Sequence, residues 1–169
     1  TITNANFDNR AIMDAIRETL RMRDNLKAKV KTEEKHDSIF WTGKTEEEFL
    51  EKAGRVGTLT FDKDEDIRAL KQYVLFGVKG ISAYCEHAFN LGYEDPAIYN
   101  FQEESFVMIT KPMTIDGMLE WIHRTGEYGV KVMALLDKAN TSTYGSPEIS
   151  KAKLGAGKNP GILVSGHDL

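Results

Sequence analysis

The residues best placed to do chemistry come at the end of the sequence, in Lys158-Asn-Pro-Gly-Ile-Leu-Val-Ser-Gly-His-Asp-Leu169. Pro160-Gly161 reads as a turn. Ile162-Leu163-Val164 is an apolar run too short for a helix and right for a buried strand. Ser165-Gly166 ends that strand, which places His167 and Asp168 at its carboxyl end, where ligands collect in open α/β sheets. Packing explains such a histidine poorly. Imidazole is a common metal ligand, and Asp168 is suited to orient the ring.

The other candidates are weaker. Glu86-His87 beside Cys85 suggests a metal or acid/base pair, but neighbouring positions on a helix do not face each other, so a hydrogen-bonded structural histidine is the simpler reading. Cys85 has no cationic cluster or helix start near it in sequence, which points to a buried, inert thiol. His36 lies in a charged loop and reads as solvated. His123 reads as a surface or packing residue. Gly155-Ala-Gly157-Lys158 suggests a phosphate loop, but the pattern requires glycine where Ala152 stands and Ser or Thr where Asn159 stands. A dinucleotide fingerprint fails too, because these glycines precede the strand.

The elements that must carry these residues are mostly helical. Asn4 or Asn6 is positioned to cap a first helix over Phe7–Val30, with Ile12, Ile16, Leu20 and Leu26 on one stripe. Lys29–Ser38 is charged and aperiodic and reads as a loop, with Ile39-Phe40-Trp41 as an apolar plug that docks it. Thr45 and Glu48 form a capping box for a short helix through Ala53, and Thr58–Phe61 follows as an extended linker. Asp64-Glu-Asp66 opens a long helix with Ile67, Leu70, Val74, Val78, Ile81, Cys85 and Ala88 at helical spacing. Asp95-Pro96 opens the next, and Thr114 caps the last, whose pattern runs to Leu136 before a turn-rich stretch. Gly77/Gly80 and Gly126/Gly129 share a spacing inside the two long helices, where each glycine costs about 1 kcal/mol against alanine. A crossing of the two helices at these glycines would offset that cost.

Composition excludes several classes. The net charge of -4, without a long basic run, argues against a nucleic-acid partner. No apolar stretch is long enough to cross a bilayer, and no basic segment leads into an apolar core at the start. One cysteine permits no internal disulfide and cannot hold a thiolate-ligated cluster by itself.

Several blocks together carry a family likeness: Thr1-Ile-Thr-Asn-Ala-Asn-Phe7; Gly77-Val-Lys-Gly80 with Ala83-Tyr84 and Glu86-His87-Ala88; Met133-Ala-Leu-Leu-Asp137 with Ala139-Asn140-Thr141 and Thr143-Tyr144-Gly145; and Gly157 through Leu169. The chain closely resembles, nearly end to end, the hybrid cluster protein family, also called hydroxylamine reductases or prismane proteins. The resemblance implies a cytoplasmic iron–sulfur oxidoreductase that reduces hydroxylamine to ammonia and water, with a link to nitric oxide in some members, and an electron donor as partner. It implies a 4Fe-4S cubane cluster on four cysteines, and a hybrid Fe-S-O cluster held by cysteines, two glutamates and one histidine. The histidine of the family's Ser-Gly-His-Asp-Leu block falls on His167. The catalytic residues stay unassigned, and so do roles for Glu86 and His87. The family often has a small residue where Cys85 stands, so no cluster role is carried onto it.

The family's cysteine-rich motif, its cluster glutamates and its later cysteines are absent from this sequence. The expectation is therefore a fragment. It is mainly α: a bundle of long up-down helices over 1–150, then over 151–169 a linker and the first strand of a following α/β domain. Alone it should hold neither cluster and be inactive. An orphan strand has an open edge, which invites pairing with a second copy as a homodimer or packing onto the bundle. The rival class is a non-enzymatic helical interaction module, distinguished by function without metal.

Overall fold

The computed structural model describes residues 8–152 and 154–165; His167 and Asp168 lie outside them. Helices account for the regular structure among the described residues. They are α1 (Asn9–Lys27), α2 (Asp37–Phe40), α3 (Glu46–Ala53), a 3-10 turn (Thr58–Thr60), α4 (Glu65–Asn90), α5 (Pro96–Ile109) and α6 (Ile115–Tyr144).

Side-chain oxygens start nearly all of them. Thr45 and Glu48 form the reciprocal capping box, and Asp64, Asp95 and Thr114 accept from the first-turn amides of α4, α5 and α6. α1 is capped by Asp8, which accepts from the Arg10 and Ala11 amides at 2.9 and 3.1 Å. The Asn4 and Asn6 alternatives fall outside the described residues. Gly145, at φ +85, ends α6 in a conformation that side chains disfavour.

α4, α5 and α6 form the core. Val74 and Val78 of α4, Ile98 and Phe101 of α5, and Met118 and Val132 of α6 are fully buried together. Phe101 stacks on Tyr128 at 4.1 Å between ring centroids, with Trp121 at 6.0 Å on the same ring. At one end Lys71, in the second turn of α4, reaches the carbonyl of Lys111 just before α6. At the other, the Lys138 ammonium sits 6.0 Å over the Tyr93 ring just past α4. α4 and α6 therefore run parallel, with α5 antiparallel beside them.

Four sequence expectations change here. α6 continues past Leu136 to Tyr144: Ala139 is buried, and Thr141 and Thr143 bond back to the Asp137 and Ala139 carbonyls at 2.7 Å, so the polar run stays helical. Thr58–Thr60 is a 3-10 turn, tied to α4 by Gln72 Nε2 at 2.9 Å from the Thr58 carbonyl. The charged loop closes with a short helix, α2. The strand expected at Ile162–Val164 is not formed: Ile162 and Leu163 stay 93% and 95% exposed. A strand needs a neighbouring strand to satisfy its backbone, and the described residues offer none.

The region before the bundle is built differently. Arg23 on α1 donates to the carbonyls of Trp41 (2.6 Å) and Ser38 (3.0 Å). The Lys52 ammonium lies 5.2 Å over the Trp41 ring and pairs with Asp37. Trp41 meets Phe49 edge-on at 5.6 Å. So Trp41 docks the loop as expected, while Phe40 stays exposed. Between α1, α2 and α3 lies a groove of about 450 Å³ walled by Ile16, Leu20, Trp41, Phe49 and Val56. Lys111 pairs with Glu34 and ties this region to the bundle.

Candidate functional site

The candidate residues on α4 do not converge. Cys85 is buried against α5, with Gln102 Nε2 3.9 Å from its sulfur. The same Gln102 nitrogen donates to Ser82 Oγ at 3.1 Å. Burial, and secondarily the negative charge of Asp95, pushes the Cys85 thiol pKa up, which keeps it protonated and inert. Glu86 and His87 are exposed and turn away from Cys85. Among the described residues no three His, Cys, Asp or Glu side chains group as a metal site. The donors among the described residues do not by themselves fit an iron–sulfur cluster.

His123 is exposed on α6, and Gly155–Lys158 is exposed irregular chain without a cradle of phosphate-loop form. His36 is exposed, as its solvated reading expects, and in addition its Nδ1 caps α2, accepting from the Ser38 amide at 3.3 Å. His167 lies outside the described residues.

The charged side chain that the structure buries among the described residues is Lys71, at 2% exposure. Its ammonium donates to Asp62 Oδ2 at 2.9 Å, to the Lys111 carbonyl at 2.8 Å and to the Phe61 carbonyl at 3.4 Å. These three acceptors use all three donors of an ammonium. The bond from Lys71, then that from the Asp64 amide, holds the Asp62 carboxyl below its ordinary range. The cluster fastens the start of α4 to the segment before it and to the α5–α6 turn. The sequence carries a trace of it, because Lys71 falls on the buried stripe between Ile67 and Val74. No described side-chain donor or acceptor that is buried lacks a partner. The arrangement is that of a scaffold, with its polar groups already satisfied.

The sequence profile of the Prismane/CO dehydrogenase family matches residues 1–169. Among curated proteins, the hydroxylamine reductase of Chlorobaculum tepidum is 48% identical over 169 residues, covering the whole of this chain and 31% of that protein. Those of Parabacteroides distasonis and Desulfitobacterium hafniense (strain Y51) are 48% and 47% identical, again over the whole chain and 32% of their own lengths. The chain thus spans about a third of the length of the curated relatives it matches. With a match over every residue, this chain belongs to the Prismane/CO dehydrogenase family.

Proposed function

We propose that the chain is the helical portion of an iron–sulfur hydroxylamine reductase. The observation that carries this is identity near 48%, over every residue of the chain, to proteins named hydroxylamine reductase. The overall reaction is NH2OH + 2 e⁻ + 2 H⁺ → NH3 + H2O, with the electrons arriving from a separate donor. The bundle supplies shape and shielding. His167, at the end of the Ser-Gly-His-Asp-Leu block, supplies one nitrogen donor to iron of the hybrid cluster, and the remaining donors belong to other parts of the enzyme. The chain by itself turns over no hydroxylamine.

The test is a chimera in which this chain replaces the matched 169 residues of the Chlorobaculum tepidum protein. Hydroxylamine-dependent oxidation of a reduced dye, with ammonium formed, is the expected result. A folded chimera with full iron content and no such activity overturns the reading. His167→Ala in the active chimera should change the electron paramagnetic resonance signature of the hybrid cluster. An unchanged spectrum removes His167 from the ligand set.

A further inference from the structure

α4 and α6 each carry a second apolar stripe besides the one that builds the core. On α4, Tyr73, Phe76, Gly80, Ala83 and Tyr84 recur at three- and four-residue steps, and all are exposed. On α6, Ile115, Leu119, Gly126, Val130 and Met133 lie on one exposed face, with His123 at the step between Leu119 and Gly126. Two long helices with apolar residues on two sides belong inside a larger packed body.

The two stripes face the same way. Gly77, at the edge of the α4 stripe, sits against Thr125, the residue before Gly126, and the helices run parallel. The α5 contacts come from other flanks, through Cys85 and Ser82 of α4 and through Trp121 and Tyr128 of α6. The stripes therefore make one surface on the side away from α5. A Cβ placed on Gly80 or Gly126 would meet nothing within 4 Å, so the middle of this surface is an open notch. The stripe runs for about 17 Å on α4 and about 27 Å on α6, and two helices side by side are about 20 Å wide, which gives about 440 Å². That lies within the roughly 300–600 Å² that the largest apolar patch of a typical monomer covers, a size that is often functional.

The surroundings specify an occupant. Asp116, Glu120 and Glu127 line the outer edge of the α6 stripe and make no ion pair among the described residues. Lys79 borders the α4 side. About two thirds of the length of the relatives lies outside the part that this chain matches. We propose that the shared face of α4 and α6 seats a further helix of the same polypeptide, drawn from that outside length. This helix lays an apolar stripe with large side chains over Gly80 and Gly126. It places basic residues along the Asp116–Glu120–Glu127 edge and an acidic residue toward Lys79. The fit follows helix-in-groove packing, and it holds whichever reaction the whole protein performs.

The experiment is site-specific photo-crosslinking in the chimera described above, with benzoylphenylalanine in place of Val130 and, as a control on the α5 side, in place of Phe106. Crosslinks are mapped by mass spectrometry in a mixture of ¹⁴N- and ¹⁵N-labelled protein. The expected result is an intramolecular link from position 130 to a helical segment outside the grafted residues that carries Lys or Arg on one flank, and a different product from position 106. A link joining light and heavy chains, a link confined to residues 1–169, or no link at all overturns the proposal. Should the chimera not accumulate in folded form, the same probe goes into the Chlorobaculum tepidum protein at the residue matched to Val130, with the same readings. Hydroxylamine turnover is scored separately, so a failure of the docking proposal and a failure of the functional reading are told apart.

Discussion

The bundle of α4–α6 and the region of α1–α3 are both helical, yet different forces hold them. The bundle buries Val74, Val78, Ile98, Phe101, Met118 and Val132 completely. The earlier region buries Met13 and Phe49 and otherwise relies on Arg17 over Phe49, Lys52 over Trp41 and Arg23 on two carbonyls. Apolar burial is not weakened by charge screening, whereas exposed charge contacts are screened and contribute little each. The bundle should therefore unfold as the cooperative unit, and α1–α3 should open at lower free energy.

The sharpest way to break the bundle is Phe101→Ala. It removes a ring stacked between two others and should lower unfolding stability by about 4 kcal/mol, read by urea denaturation. Lys71→Ala leaves the part-buried Phe61 and Lys111 carbonyls and the Asp62 carboxylate without their cation. A loss of about 3 kcal/mol is expected in the same measurement. A loss below about 0.5 kcal/mol would show that surface solvation suffices there.

The glycines give a test within one helix. A Cβ on Gly77 would lie 2.4 Å from Thr125 Cγ2. Gly77→Ala should therefore destabilise the chain by about 1–2 kcal/mol through overpacking. Gly80→Ala meets nothing within 4 Å and should stabilise it by about 1 kcal/mol through helix propensity. Equal effects would mean that the helices do not cross closely at Gly77.

The smallest effect concerns acid. Lys111 lowers the Glu34 carboxyl pKa by hydrogen bond and charge, and Lys71 does the same for Asp62. A lowered folded-state value means that each contribution is complete above the ordinary carboxylate range. It declines as pH falls into that range, because the unfolded chain takes up protons first, and it is gone below the folded-state value. Hydrogen exchange at pH 4 should show α1–α3 loosening before the bundle, and about 1 M salt at neutral pH should loosen the same region. Uniform loosening would contradict the division between the two regions.

Helix starts were legible because each depends on a few adjacent residues. Thr45 with Glu48, Asp64, Asp95 with Pro96, and Thr114 announce their helices in any context. The apolar spacing of α4 likewise named its buried face. The C-terminal turns of α6 were missed because Thr141 and Thr143 read as breakers until their hydroxyls are seen bonding to carbonyls four residues back. The paired glycines pointed to a crossing, and only Gly77 lies at one, because a shared spacing cannot say which glycine a neighbour reaches.

By itself, then, the sequence determined the helical class, the caps and, through long specific blocks, the family. Those are local or cumulative properties of residue type and order. Tertiary structure decided that Lys71 is the buried charge, that Cys85 faces Gln102, and that α4 and α6 present a common open face. Each of these depends on which residues from distant parts of the chain meet, and burial and hydrogen-bond partners exist only once they do.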